Sequence, residues 1–203
     1  RGEKGTTVEI KILRRENNNL LDFAIVRDDI PLYSVDATIM LSTSIGYIKV
    51  NRFSATTFDE FTKGANKLLN SGMEKLILDL RGNPGGYLAM AISMCDELLD
   101  KDNLIVYTQG RNRARENVYA TRNGILKNTE IIVLIDEGSA SASEIVSGAI
   151  QDNDRGLVIG RRSFGKGLVQ EQIGLTDGSV VRLTTQRYYT PSGRCIQKNY
   201  GEN

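Results

Sequence analysis

Between about residue 45 and residue 160 the chain alternates short apolar runs with amphipathic stretches, and this constrains the fold more than any other feature. "IGYIKVNRF", "KLILDL", "NLIVYTQG", "EIIVLIDE" and "GLVIG" have the length and content of strands. The intervening segments follow the helical period. In "TTFDEFTKGANKLLNSG", Phe58, Phe61, Ala65 and Leu68 share a face, Thr57 and Glu60 are spaced for a capping box, and Gly72 ends the pattern. From about Tyr87 to Asp100, Leu88, Ala91, Ile92, Cys95, Leu98 and Leu99 recur at helical spacing. From about Ser141 to Asp152, Ala142, Ile145, Val146, Ala149 and Ile150 do the same. Strands alternating with helices predict an α/β core around a largely parallel sheet. The ends, "TTVEIKIL" and "DFAIVRDDI" on one side and "GSVVRLTTQRYYT" on the other, read as β extensions.

The charge balance narrows the partners. Lys and Arg number 26 against 25 Asp and Glu, a formal net charge of +1. A nucleic-acid binder carries a basic excess or stripe, and none is present, so no nucleic-acid partner is expected. The longest apolar runs, such as Ile131 to Ile135, are far too short to span a membrane. The chain contains no histidine, and its two cysteines, Cys95 and Cys195, lie far apart. A metal site is therefore not expected, and no cofactor is implied. Cys95 falls on a helical apolar stripe and is expected to be a buried free thiol. Cys195 lies in a polar turn.

Three stretches carry candidate chemistry. "GRRSFGKG", Gly160 to Gly167, nearly matches a phosphate-binding loop, but glycine stands at 167 where the hydroxyl for Mg²⁺ is needed. The following "LVQEQIGLTDG" is also too short and polar to supply the long helix that would cradle phosphate. "RGNPGG", Arg81 to Gly86, is at the least a tight turn. Its glycine N–H groups, at a helix mouth, could also stabilise an oxyanion. "GSASASEI", from Gly138, carries serines at 139, 141 and 143. Ser141 and Glu144 are spaced for a capping box. A nucleophile at Ser141 would also place the Ala142 N–H beside its own attacking oxygen.

A serine nucleophile needs a base, and without histidine the Ser-His-Asp arrangement is excluded. Ser-Lys chemistry is the recognised variant. A lysine serves as base only when neutral, which takes a fall of about 2–3 units from ~10.4, so the base must sit in a dry place. Lys166, between Gly165 and Gly167 and next to Phe164 and Leu168, is the candidate.

These residues bring a resemblance with them. "LILDLRGNPGG", "VLIDEGSASASEIVSGAIQDNDRG", "GRRSFGKGLVQ" and "LTTQRYYTPSGRCIQ", in this order over most of residues 46 to 197, resemble the carboxy-terminal processing peptidases, or tail-specific proteases. That family pairs a serine with a lysine 25 positions later and a glutamine four beyond it. Here 166 − 141 = 25 and 166 + 4 = 170, a glutamine. The resemblance implies Ser141 as nucleophile, Lys166 as general base and Gln170 as its orienting partner. It implies an oxyanion hole from the Ala142 N–H and that of Gly85 or Gly86.

The resemblance also implies a crotonase/ClpP-like twisted sheet core with flanking helices. Residues 1–16 would be the closing remnant of a PDZ domain, and 17–203 a protease core lacking its C-terminal part. The expected activity is serine endopeptidase cleavage near the C-termini of protein or peptide substrates with exposed tails. An inactive peptide-binding scaffold of the same fold is the alternative. The family's location is exported, in the periplasm or cell envelope.

Overall fold

The structure is a computed structural model that describes residues 2–15, 17–29, 32–199 and 201. It divides into two compact units, residues 1–32 and 33–203. The first is a hairpin of β1 (Thr7–Arg14) and β2 (Asn17–Val26), antiparallel from Thr7 opposite Val26 to Arg14 opposite Asn17. Both strands lie within this first unit, which ends at residue 32.

The second unit is built on a five-stranded sheet in the order β3-β4-β5-β8-β9. Its strands are β3 (Val35–Met40), β4 (Ile45–Val50), β5 (Lys75–Asp79), β8 (Glu130–Ile135) and β9 (Gly156–Gly160). β3 runs antiparallel to β4, and the other three pairings are parallel. Helices α1 (Thr57–Asn70), α2 (Leu88–Leu98) and α3 (Ala142–Asp152) form the crossovers. The strand period of two puts Ile48, Val50, Leu76, Leu78, Ile131 and Val133 into one core with Phe61, Leu68, Met94, Leu98, Val146 and Ile150 of the helices. A largely parallel α/β sheet was the expectation, and it is what forms. The other sheet face differs: Ile39, Leu157 and Ile159 are exposed on their strands.

A second, antiparallel sheet has the order β10-β11-β6-β7, from β6 (Leu104–Gln109), β7 (Glu116–Tyr119), β10 (Leu168–Gly174) and β11 (Val180–Tyr189). It is pinned at the β6–β11 junction by stacked Tyr107 and Tyr189 rings, 4.9 Å between centroids, with the Arg115 guanidinium 3.6 Å over Tyr107. α3 packs against β6, β9 and α2, which is why every residue from Ala142 to Ile150 is buried. No helix among the described residues is long and apolar enough to cross a membrane.

The Thr57–Glu60 capping box does not form. The helix begins at Thr57 itself, and the Glu60 carboxylate accepts the N–H groups of Ser34 (2.7 Å) and Val35 (2.9 Å) at the start of β3. Thr56 takes the N-cap position instead, and its hydroxyl donates to Glu60 Oε1 at 2.6 Å while Oε2 serves the strand start.

Candidate active site

Parallel strands aim their C-terminal ends at one rim, and the candidate residues collect there. β5 runs out through Leu80 into the glycine turn 81–86, and its neighbour β8 runs out through Asp136 into the serine loop. Hydrogen bonds lace the two loops together. Asp136 accepts the N–H groups of Gly82 (2.7 Å) and Gly138 (2.9 Å). Burial pushes its carboxyl up, but these N–H bonds, with Ser139 and Arg161, outweigh it and hold it below the ordinary aspartate value. The Asn83 carbonyl accepts from Ala140 N–H (2.9 Å) and from Ser143 Oγ (3.0 Å).

This lacing sorts the three serines. Ser139 is fully buried, its hydroxyl donating to the Leu80 carbonyl at 2.8 Å. Ser143 is fully buried as well and committed to Asn83. Ser141 alone of the three is partly exposed. It sits at the mouth of α3 with φ 57° and ψ −112°, a strained conformation for a residue with a side chain. Strain of this kind at a strand-to-helix turn lifts a hydroxyl clear of its neighbours. The strain is held by Glu144, whose Oε2 accepts the Ser141 N–H at 2.7 Å. The Ser141–Glu144 capping box expected from the spacing does form, and it leaves the serine partly exposed.

The glycine turn lies directly against this serine. A Cβ placed on Gly85 would stand 2.8 Å from Ser141 Cβ and 2.9 Å from the Ala142 nitrogen. The Gly85 N–H is taken up by Asn83 Oδ1 at 2.9 Å. Among the described residues, the N–H groups of Ala142 and Gly86 have no hydrogen-bond partner.

Lys166 is placed on the loop between β9 and β10. Its own N–H donates to Glu144 Oε2 (2.9 Å), and Gly165 N–H (2.7 Å) and Ser163 Oγ (2.8 Å) donate to Oε1. One buried carboxylate therefore joins the backbones of Ser141 and Lys166. The side chains are not joined: among the described residues no hydrogen bond links Ser141 Oγ to Lys166 Nζ, or Lys166 to Gln170. The dry setting expected for Lys166 is not formed. Its side chain is exposed, and the neighbouring Phe164 ring turns outward, 59% exposed, instead of covering it. Gln170 is exposed on β10 opposite Thr184, where β11 bulges at Thr185.

Sequence reasoning treated Glu144 only as a helix cap and missed its bonds to residues 163–166. The signal available was a carboxylate on a helix face that is otherwise apolar. It also passed over Asp79, which is buried at the end of β5. Asp79 accepts from Tyr47 Oη (2.7 Å), Arg81 Nη2 (2.6 Å) and Arg81 N–H (2.9 Å), with Lys49 at 3.3 Å. Burial pushes its carboxyl up, and the Arg81, Tyr47 and Lys49 partners more than reverse this and hold it well below the carboxylate range. No group of three or more His, Cys, Asp and Glu placed to hold a metal ion occurs among the described residues.

The chain matches known proteins over nearly its whole length. The chain is 38% identical over 200 residues to the carboxy-terminal processing protease CtpB of Bacillus subtilis, covering 98% of this chain and 42% of that protein. It is 42% identical over 202 residues to the carboxy-terminal-processing protease of Bartonella bacilliformis, covering 97% and 46%. A solved structure of the photosystem II D1 C-terminal processing protease superposes with a TM-score of 0.76 at 30% identity, covering 97% of this chain and 54% of that one. The chain thus spans less than half the length of these two sequence relatives. The model of peptidase family S41 matches residues 44–201, the segment that holds both laced loops and the Lys166 loop, and the chain belongs to that family.

Proposed function

We propose that this chain is the catalytic part of a serine endopeptidase that cleaves protein substrates near their C-termini. The observation that carries it is the Ser141 elbow: a strained, partly exposed serine at a buried helix mouth, beside backbone N–H groups that have no partner among the described residues. Ser141 Oγ attacks the scissile carbonyl carbon and its proton passes to the neutral Lys166 amine. The Ala142 and Gly86 N–H groups receive the oxyanion. Gly86 is preferred to Gly85 because the Gly85 N–H already serves Asn83. The protonated lysine then returns its proton to the leaving amine, and water hydrolyses the Ser141 ester. Gln170 orients Lys166 once the lysine is covered. The requirement for a dry amine means that a substrate, or protein beyond the described residues, closes over the exposed Lys166.

The relatives' names support C-terminal processing as the activity; an exported location rests on the family resemblance alone. Residues 2–15 and 17–29, a lone hairpin, suit the closing strands of a peptide-binding PDZ domain. The test is cleavage of a long unstructured peptide with an apolar C-terminus by the full-length protein, run beside Ser141→Ala and Lys166→Ala. Loss of cleavage in both supports the pair. Equal rates in all three would remove the Ser141–Lys166 pair, and no cleavage by any of them would mark the chain as a peptide-binding scaffold.

A further inference from the structure

Glu144 makes more bonds than a helix cap needs. It is 5% exposed, and among the described residues it has no ion pair. A buried carboxylate without a cation persists only where donors surround it. Oε2 takes the N–H groups of Ser141 and Lys166; Oε1 takes Gly165 N–H and Ser163 Oγ. The Ser141 bond alone is the local cap. The others come from 19 to 22 positions further along the chain. The far side of the same loop is also held. The Gly165 carbonyl accepts from Lys198 N–H (3.0 Å) and the Gly167 carbonyl from Tyr188 N–H (2.8 Å). Gly167 N–H donates to Gln197 Oε1 (3.1 Å).

We propose that Glu144 is a positioning residue for peptide hydrolysis, fixing the backbone of Lys166 relative to that of Ser141 so that only the lysine side chain must turn to meet the hydroxyl. This rests on the Ser141–Lys166 reading above. It calls for a carboxylate specifically, because all its partners donate. An amide offers one acceptor oxygen, so Glu144→Gln turns an NH₂ either toward the Ser141 and Lys166 N–H groups or toward the Gly165 N–H, where only the Ser163 hydroxyl can rotate to accept.

The test uses the full-length protein with the same apolar-tailed peptide. Glu144→Gln is expected to lower kcat about 100-fold with KM within about two-fold, the scale of a misplaced catalytic group. Hydrogen exchange at the Gly165 and Lys166 amides is expected to accelerate while β5 and β8 keep their protection. An unchanged kcat overturns the proposal, as does a loss of protection spread equally through β5 and β8. If Glu144→Gln does not fold, Ser163→Ala removes a single donor from Oε1. It is then expected to lower kcat about 3-fold, the scale of one modest hydrogen bond, and to speed Gly165 exchange. No change in either overturns it. Ser141→Ala separates the two claims: full activity there removes the serine reading and this proposal with it. A dead Ser141→Ala beside an unaffected Glu144→Gln removes only the latter.

Discussion

Replacing Gly85 and Gly82 by alanine, one at a time, separates backbone strain from pressure on the nucleophile. Both lie in the turn after β5 with positive φ, +92° and +69°. A Cβ at Gly82 meets nothing within 4 Å, so Gly82→Ala carries only the left-handed backbone term, about 1–2 kcal/mol. A Cβ at Gly85 would stand 2.6 Å from the Ala140 carbonyl oxygen, 2.8 Å from Ser141 Cβ and 2.9 Å from the Ala142 nitrogen. Those contacts are backbone or the serine itself, so relief comes only by moving the elbow. Overpacking of this kind adds roughly 1–3 kcal/mol, for a total of about 2–5 kcal/mol. At about 2–4 °C per kcal/mol for a chain of this size, Tm is expected to fall by roughly 2–8 °C for Gly82→Ala and by roughly 4–20 °C for Gly85→Ala. Activity separates them further. With Ser141 displaced, Gly85→Ala is expected to lose at least about 100-fold in kcat, and Gly82→Ala to stay within about 3-fold. The assay is thermal unfolding paired with peptide cleavage well below either Tm. Gly85→Ala as active as Gly82→Ala would refute the placement of the glycine turn against the serine.

Burial pushes the Cys95 thiol well up, whereas Cys195 is exposed; a maleimide at neutral pH is expected to label one thiol per folded chain, at Cys195, and both after unfolding. Glu97 is 3% exposed and holds Arg122 and the Ile125 N–H (3.1 Å), so Glu97→Ala is expected to cost about 1–3 kcal/mol in a denaturant titration and to loosen the 121–126 loop. Asp79 has a folded pKa below its unfolded value of about 3.9, so its contribution is present above pH ~4 and is lost as pH falls toward the folded value. Asp79→Asn is therefore expected to flatten the acid limb of the stability–pH curve, read by denaturant midpoints between pH 2 and 6.

The α/β core was legible because its periods are local. "KLILDL" became β5, "EIIVLIDE" β8 and "GLVIG" β9, and each helix formed within a residue or two of its expected ends. β3, β7 and β10 were passed over. β7, "ENVY", is too short to show a period, and β3 begins where Glu60, far along the chain, supplies the acceptors. The outcome for the site follows the same division. That Ser141 would stand at a helix mouth was readable from strand, small residues and helix in succession. That Ser139 and Ser143 would be consumed by Leu80 and Asn83 was not, since those partners lie 59 and 60 positions away. The dry lysine was a chemical requirement placed on Lys166 by its apolar neighbours. Phe164 faces outward instead, and adjacency along a loop does not decide which way a ring turns.

The most direct measurement is the intact mass, followed by peptide mapping, of the full-length protein trapped with a slowly deacylated activated ester of an apolar-ended peptide. An acyl adduct on the peptide that contains Ser141, absent in Ser141→Ala and formed far more slowly in Lys166→Ala, is the predicted result. An adduct that persists in Ser141→Ala, or that forms at the wild-type rate without Lys166, would contradict the Ser141–Lys166 pair.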